Sequence, residues 1–517
     1  MNKKTKLIIV TLLLLPIFLW IVPSKESLYP LKLGVAREET EKQLHVEGKL
    51  PDWLKGVLVR NSSIPIFQEG KQISHEFDGL AMLHGFAFDE GKVFYTNRFL
   101  KSQQHDAVVN KGTAQYKGFA SEPSLWQKIQ NFFISSDQWV TNASVNVFKY
   151  GDQYVALTEV PLPARFDLKT LNTLGSFNYQ DSLPKSKCWE SAHPHLDVSS
   201  NEIVNFLIEF GRQSYYVLYR MKEDFSSREV IAKVPVDMPS YMHSFAMTEH
   251  YLILTEFPFL VSPFDLLIKN KPFIHNFTWH PERGTRFLVI ERNSGKVISQ
   301  IVTDPFFSFH HANAYEIENG NEIVIDLVAF PDISLMPSLF PQASSSLANK
   351  PDWKRRLMRY HLSLDKNEIL PEVLLEKDVE FPRFDDKLDG KNYRYLYMTI
   401  SEDFSNEFLQ TETTGLVKFD MLTKQIKKWH QSDCNAVEPI FIPSPTAKNE
   451  DEGVILSVVY DEEKKRSFLL VLDGQSFDEI AQAELPWQIP GSFHGQYFSE
   501  SVFFPLKQEE KTLQQKN

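Results

Sequence analysis

Four short stretches of this chain place histidine in settings where a metal could use it. They are Ser191-Ala192-His193-Pro194-His195, Tyr241-Met242-His243-Ser244-Phe245, Phe309-His310-His311-Ala312-Asn313 and Gly491-Ser492-Phe493-His494-Gly495. Each lies beside an apolar or aromatic strand end, where imidazole is partly buried and needs a partner, and a metal is one such partner. Taking the first histidine of each stretch, the separations are 50, 67 and 184 residues. A local zinc motif is therefore excluded, and strands converging on the axis of a closed β structure are suggested. Imidazole serves iron, zinc, copper and nickel alike, so the donor type does not name the metal. The chain holds 15 histidines, and His45, His105, His250, His361 and His430 read as ordinary structural or surface residues.

The elements that must position these groups read as strand after strand. Tyr154–Val160, Ile203–Phe210, Tyr215–Met221, Tyr251–Phe257, Phe287–Arg292, Ile323–Phe330, Val454–Tyr460 and Ser467–Asp473 are short, rich in β-branched or aromatic residues, and bounded by turn formers. Tyr150-Gly151-Asp152, Asn293-Ser294-Gly295 and Asp473-Gly474 are hairpin signals. Amphipathic helices are scarce; Trp353–Tyr360 is expected to form one short helix. Two long segments, Pro258 to Gly284 and Pro331 to about Asp378, interrupt the rhythm and read as lids or binding loops. The pattern gives an all-β chain and leaves sandwich, barrel and propeller open, because no repeat of about 40–50 residues is visible.

Composition narrows the class. The 517 residues are 42% hydrophobic and 24% charged, with a net charge of −12 and no basic stripe, which argues against nucleic acid as a partner. Cys188 and Cys434 cannot build a disulfide framework and do not resemble a zinc site. Forty phenylalanines suit β packing and would also line an apolar tunnel. Lys3, Lys4 and Lys6 precede an apolar run from Leu7 to Val22, the pattern of an export signal or uncleaved membrane anchor over residues 1–24. The basic end is expected to stay cytoplasmic, with the body on the extracytoplasmic side.

The histidine contexts resemble those of the carotenoid cleavage oxygenase family, which includes the retinal pigment epithelial membrane protein. Further motifs follow in the same order as in that family: Gly56–Asn61, His75–Gly79, Met82–Phe86, Tyr95–Arg98, Trp279–Arg286, Glu380–Arg383 and Tyr393–Tyr395. The resemblance covers nearly everything after residue 24. It implies a single seven-bladed β-propeller over 25–517, with a dome of loops and helices above an axial iron site. It also implies one Fe(2+) per chain, held by His193, His243, His310 and His494, which leaves two positions on an octahedral ion. His195 and His311 are then neighbours that point elsewhere. Three glutamates of the family map to Glu159, Glu380 and Glu438, expected on the ligands' second ring nitrogens as Glu159 with His243, Glu380 with His310 and Glu438 with His494. One departure is Ser62-Ser63, where the family usually has Gly-Pro, which puts a turn in question.

The implied activity is oxidative cleavage of a carbon–carbon double bond in a carotenoid or apocarotenoid, with dioxygen as co-substrate and no organic cofactor. Two alternatives keep the scaffold: a retinoid isomerohydrolase-like reaction or cleavage of a lignostilbene-type alkene. A third is a propeller that binds a hydrophobic ligand without catalysis. Phe259, Leu260, Val261, Phe264, Leu266, Leu267, Ile268 and Phe273 cluster in the first long segment and read either as an exposed patch for the expected membrane association or as ordinary core or lid packing.

Overall fold

Alternating apolar residues along short strands bury one sheet face against the next, and here seven such sheets close into a ring. The structure, a computed structural model, describes residues 32–33, 37–68, 71–72, 75–111, 119–120, 142–186, 188–222, 225–268, 271–317, 320–334, 336, 354–402, 413–489 and 492–500. Seven antiparallel sheets of four to six strands form the blades of a propeller. We number them in chain order, starting from the sheet that contains Gly56–Ile64.

Closure uses both ends of the chain. The innermost strand of blade 1 is Ser492–Phe498, paired to Gly56–Ile64 with Tyr497 opposite Leu58. The outermost strand of blade 7 is His45–Gly48, paired to Glu479–Glu484 with His45 opposite Glu484. Two strand pairings therefore lock the ring, and neither blade 1 nor blade 7 is complete without a distant part of the chain. Blades 2 to 6 begin on Asn146–Tyr150, Cys188–Glu190 with His195–Asp197, Ala246–Met247, His311–Ile317 and Asp378–Arg383. The inner edge of blade 7 is Cys434–Ala436 with Ile440–Pro443. Ser62 and Ser63 continue a regular strand pairing, opposite Met82 and Ala81, so the departure at this motif makes no turn. Cys188 and Cys434 are free and buried in blades 3 and 7.

Three expectations are corrected. Trp353 lies outside the described residues, and Arg356–Ser363 is a central strand of blade 5 rather than part of a helix. Its good helix formers are overridden by pairing on both sides, and its alternation suits a strand. The second long segment is accordingly shorter than its sequence suggests, since Glu368–Leu375 also pairs within blade 5. In the first long segment Phe259, Leu260, Val261 and Phe273 are buried, not an exposed patch. Phe259–Val261 pairs with Phe277–Trp279, and the Phe259 ring packs on Phe277 and Tyr241. Phe264 is exposed, and Leu266 nearby is partly buried. Phe259→Ala should therefore cost about 3–5 kcal/mol of stability, while Phe264→Ala should shift it by less than about 0.5 kcal/mol; denaturant melts of the two variants check this.

The segment 1–24 lies outside the described residues, as do residues 112–118. Among the described residues no helix is long and apolar enough to cross a membrane. Above the ring, the Phe119 and Ala120 amides donate to the two Asp78 oxygens at 2.7 and 2.9 Å, which ties dome backbone to blade 1.

Candidate metal centre

Each of the seven blades supplies one group to the axis. His494, His193, His243 and His310 come from blades 1, 3, 4 and 5, and Glu159, Glu380 and Glu438 from blades 2, 6 and 7. All but Glu159 lie on, between or immediately before innermost strands; Glu159 follows the second strand of blade 2, Gln153–Leu157. Local irregularities aim three of them. One extra residue stands between the Ser492–Ser62 and Gly495–Arg60 pairs, one between His311–Leu327 and Asn313–Asp326, and one between Glu380–Thr399 and Arg383–Tyr397. Such bulges turn a side chain out of the alternating pattern. At the third, Phe381 has φ +55, a conformation rare for a residue with a bulky side chain. At the first, a Cβ on Gly495 would lie 2.5 Å from the Arg60 Cδ and 2.7 Å from the Val59 carbonyl, so the histidine can only be followed by glycine.

The four imidazoles meet. His193 Nε2 is 3.0 Å from His243 Nε2, His310 Nε2 is 3.2 Å from His494 Nε2, and all four donor atoms lie within 4.8 Å of one another. His243 Nδ1 is 2.5 Å from Glu159, His310 Nδ1 2.7 Å from Glu380, and His494 Nδ1 2.8 Å from Glu438. A carboxylate only accepts, so these three rings carry their proton on Nδ1 and present a bare Nε2 lone pair to the centre. Burial, followed by the neighbouring histidines and Arg383, holds His193 and His494 well below the usual imidazole range. Lone pairs facing one another at such distances are unsatisfied unless a cation sits among them. The charge count points the same way. Glu159 and Glu380 make their short contacts to imidazole and not to lysine or arginine, and Arg355 acts on Glu380 only from further off, so a divalent ion among the rings would add to the compensation of both carboxylates. Glu380, which burial alone would push up, is held below the usual carboxylate range by His310 and the Phe381 amide. The donor set therefore fits a divalent metal with four imidazole ligands.

His195 and His311 face away. His195 Nδ1 meets Asp389 at 2.7 and 2.9 Å and its Nε2 meets the Phe245 carbonyl at 3.1 Å. His311 lies between the Ser244 and Thr255 hydroxyls at 2.8 Å each, and burial pushes it down to about 3.

Sequence reasoning missed three supporting groups. Arg60, fully buried, donates from Nη1 to Glu438 Oε2 at 2.8 Å and from Nη2 to the Phe493 carbonyl at 2.7 Å. Arg383 approaches the other Glu438 oxygen at 3.5 Å. The Tyr241 hydroxyl donates to Glu159 at 2.8 Å and stacks its ring on Phe307. Tyr241 precedes His243 by two residues, a same-face spacing that could have marked it. His193 is the one ligand candidate of the four that is not fully buried. Phe77, Phe309 and Phe493 crowd that region, with ring centroids 5.2 Å apart for Phe77–Phe493 and 5.4 Å for Phe309–His243.

Comparison with known proteins agrees with this geometry. The family model for retinal pigment epithelial membrane protein matches residues 34–499. The beta,beta-carotene 15,15'-dioxygenase of Gallus gallus is 30% identical, over 88% of this chain and 95% of its own length. The carotenoid isomerooxygenase of Galleria mellonella is 30% identical over 91% and 98%. The chloroplastic carotenoid cleavage dioxygenase 8 of Arabidopsis thaliana is 30% identical over 89% and 84%. Among solved structures, cobalt-substituted Synechocystis apocarotenoid oxygenase superposes with a TM-score of 0.76 at 24% identity, covering 92% of this chain and 98% of that one, and shares the fold. With 466 consecutive residues matched, the chain belongs to the retinal pigment epithelial membrane protein family.

Proposed function

We propose that this chain is an iron(II)-dependent dioxygenase that cleaves a carbon–carbon double bond of a carotenoid or apocarotenoid into two carbonyl products, with one iron per chain held by His193, His243, His310 and His494. The observation that carries the reading is the meeting of four imidazoles at the axis, three of them backed by buried carboxylates. Relatives at 28–30% identity that are named as carotene or carotenoid dioxygenases support the substrate class. Iron bound there would supply the activation of dioxygen. The protein's own part is orientation. Glu159, Glu380 and Glu438 fix the three imidazole planes, and neutral donors leave the ferrous charge uncompensated by any ligand anion. Phe77, Phe309 and Phe493 provide an apolar wall on which a polyene can lie and from which water is excluded. Both atoms of dioxygen end in the two carbonyl groups, so no external reductant enters the balance.

The N-terminal lysines and the apolar run to Val22 support a membrane anchor or export signal, with the propeller on the extracytoplasmic side. The deciding experiment is anaerobic purification with iron quantification, followed by a panel of a carotenoid, an apocarotenoid, a retinyl ester and a stilbene under labelled dioxygen. About one iron per chain and two labelled carbonyls from a polyene are expected. Isomerised retinoid alcohol without label would favour the isomerohydrolase alternative, and labelled phenolic aldehydes the stilbene one.

A further inference from the structure

His193 differs from the other three histidines. Among the described residues no carboxylate meets its ring, and what is fixed is the segment around it. The His193 amide donates to Ser191 Oγ at 3.1 Å, and that hydroxyl donates to the His243 carbonyl at 2.7 Å. Two residues later His195 is held at both ring nitrogens, by Asp389 and by the Phe245 carbonyl, so its ring cannot turn without losing one acceptor.

Asp389 sits on a strap, residues 385–391, that leaves the inner strand of blade 6. Asp385 caps its 3-10 turn, Asp386–Leu388. The strap hydrogen-bonds three of the four histidine-bearing segments and reaches the fourth through His195. It meets His195, two residues past His193, through Asp389. Phe245, two past His243, accepts from that same His195 ring. Asn313, three past His310, donates to the Leu388 and Lys391 carbonyls at 3.0 Å each and accepts from the Gly390 amide at 3.1 Å. Gln496, two past His494, donates to Asp386 at 2.7 Å. Gly390 adopts φ +77 and passes close to blade 4, where a Cβ would lie 3.5 Å from the Thr248 Cα. Three histidine-bearing segments from separate blades are thus bonded directly to one short loop, and the fourth is bonded to it through His195.

From this arrangement we infer that the 385–391 strap is a collar that sets the spacing of the four histidines, and that Asp389 and Asn313 are its positioning residues. It does for His193, through the backbone, what a carboxylate on the ring does for the other three. The inference rests on the metal reading above. Its test uses the full chain loaded with Fe(II), and separately with Co(II), challenged with a chelator in excess. Asp389→Asn keeps the shape and removes the charge; Asn313→Ser removes the two amide donors without placing a charge beside the Leu388 and Lys391 carbonyls. Each variant should bind one metal at saturation but release it about tenfold faster, the lower end of what loss of an outer partner costs. The Co(II) absorption bands should shift, since ligand angles change. The melting temperature of the metal-free chain should stay within a few degrees, which a merely structural strap would not allow. Asp389→Asn with His195→Gln should release metal no faster than Asp389→Asn alone, because both changes cut one link. Parent-like release and Co(II) spectra in both variants would overturn the collar, as would a large fall in metal-free stability with unchanged release. A parent chain that holds no metal would instead overturn the metal reading, and the collar with it.

Discussion

Alanine at His193, His243, His310 or His494 should reduce metal affinity by more than about 100-fold and remove polyene cleavage. That loss exceeds the roughly 10- to 100-fold that follows removal of an outer partner of a ligand. Each change deletes one of four donors whose bare nitrogens lie within 4.8 Å of one another. Stability gives a second readout. Metal at about 1,000 times its dissociation constant adds roughly 4 kcal/mol to the folded state, and the variants should lack that increment. Without metal, His193→Ala should be close to the parent in stability, whereas the other three should be less stable, because each leaves the buried carboxylate behind it without its imidazole donor. His311→Ala should keep iron, since both of its nitrogens are engaged by Ser244 and Thr255. His195→Ala should still reach one equivalent at saturation and release it faster. Iron quantification after gel filtration, with calorimetry of loaded and stripped chains, checks all six. Retention of iron by His193→Ala together with its loss from His195→Ala would reverse the assignment within the first doublet.

Much of this centre could be read from sequence because its members sit in distinctive local settings. An imidazole after an aromatic residue at a strand end is partly buried and needs a partner, and that is visible without coordinates. The three glutamates were legible only through the motifs of the resemblance, and each lies against the histidine expected for it. The seven blades were not legible from the pattern. Blades 1 and 7 are assembled from both ends of the chain, and a bulge in an inner strand shifts its register, so no fixed repeat survives. Arg60 reads as one more residue of an opening strand; its role depends on Glu438, 378 residues away. Asp389 lies in a polar turn of the kind that normally faces water, and only closure of the ring brings His195 to it. Phe259 and its neighbours read as a surface patch or as packing because a run of apolar residues in a loop does not reveal that it folds back under Phe277 and Tyr241.

Two kinds of glutamate follow from these surroundings. Glu159 and Glu380 meet only imidazole, tyrosine hydroxyl or backbone amide donors among the described residues. Glu438 is different, since it joins His494 to the Arg60 guanidinium and also accepts from the Gly495 amide at 3.0 Å. Changing each to Gln should weaken iron binding by roughly 10- to 100-fold, but the cost in folding should separate them.

Arg60→Met should lower stability by about 3 kcal/mol, the low end of the cost of breaking a buried ion pair, because Arg383 stays 3.5 Å from the other Glu438 oxygen. Arg60 and Glu438 are both nearly inaccessible, and Arg60 also holds the Phe493 carbonyl, one residue before His494. Its loss therefore acts on the strand that closes the ring. Hydrogen exchange should quicken first at Ser492–Phe498 and at the Gly56–Ile64 strand paired to it, before the remaining blades open. Glu438→Gln alone should destabilise as well, because it removes the carboxylate that compensates the buried Arg60 charge. The double variant, Arg60→Met with Glu438→Gln, should recover much of the stability of either single one, since no unpaired charge remains. It should not recover iron affinity, because Gln cannot accept at His494 as a carboxylate does. Glu159→Gln and Glu380→Gln should lose affinity with a far smaller fall in stability, as neither leaves a cation behind. Denaturant melts of the metal-free chains and iron titrations of the same samples separate the two effects. A double variant as unstable as the sum of its parts would mean that Arg60 acts through packing of its side chain and not through its charge on Glu438.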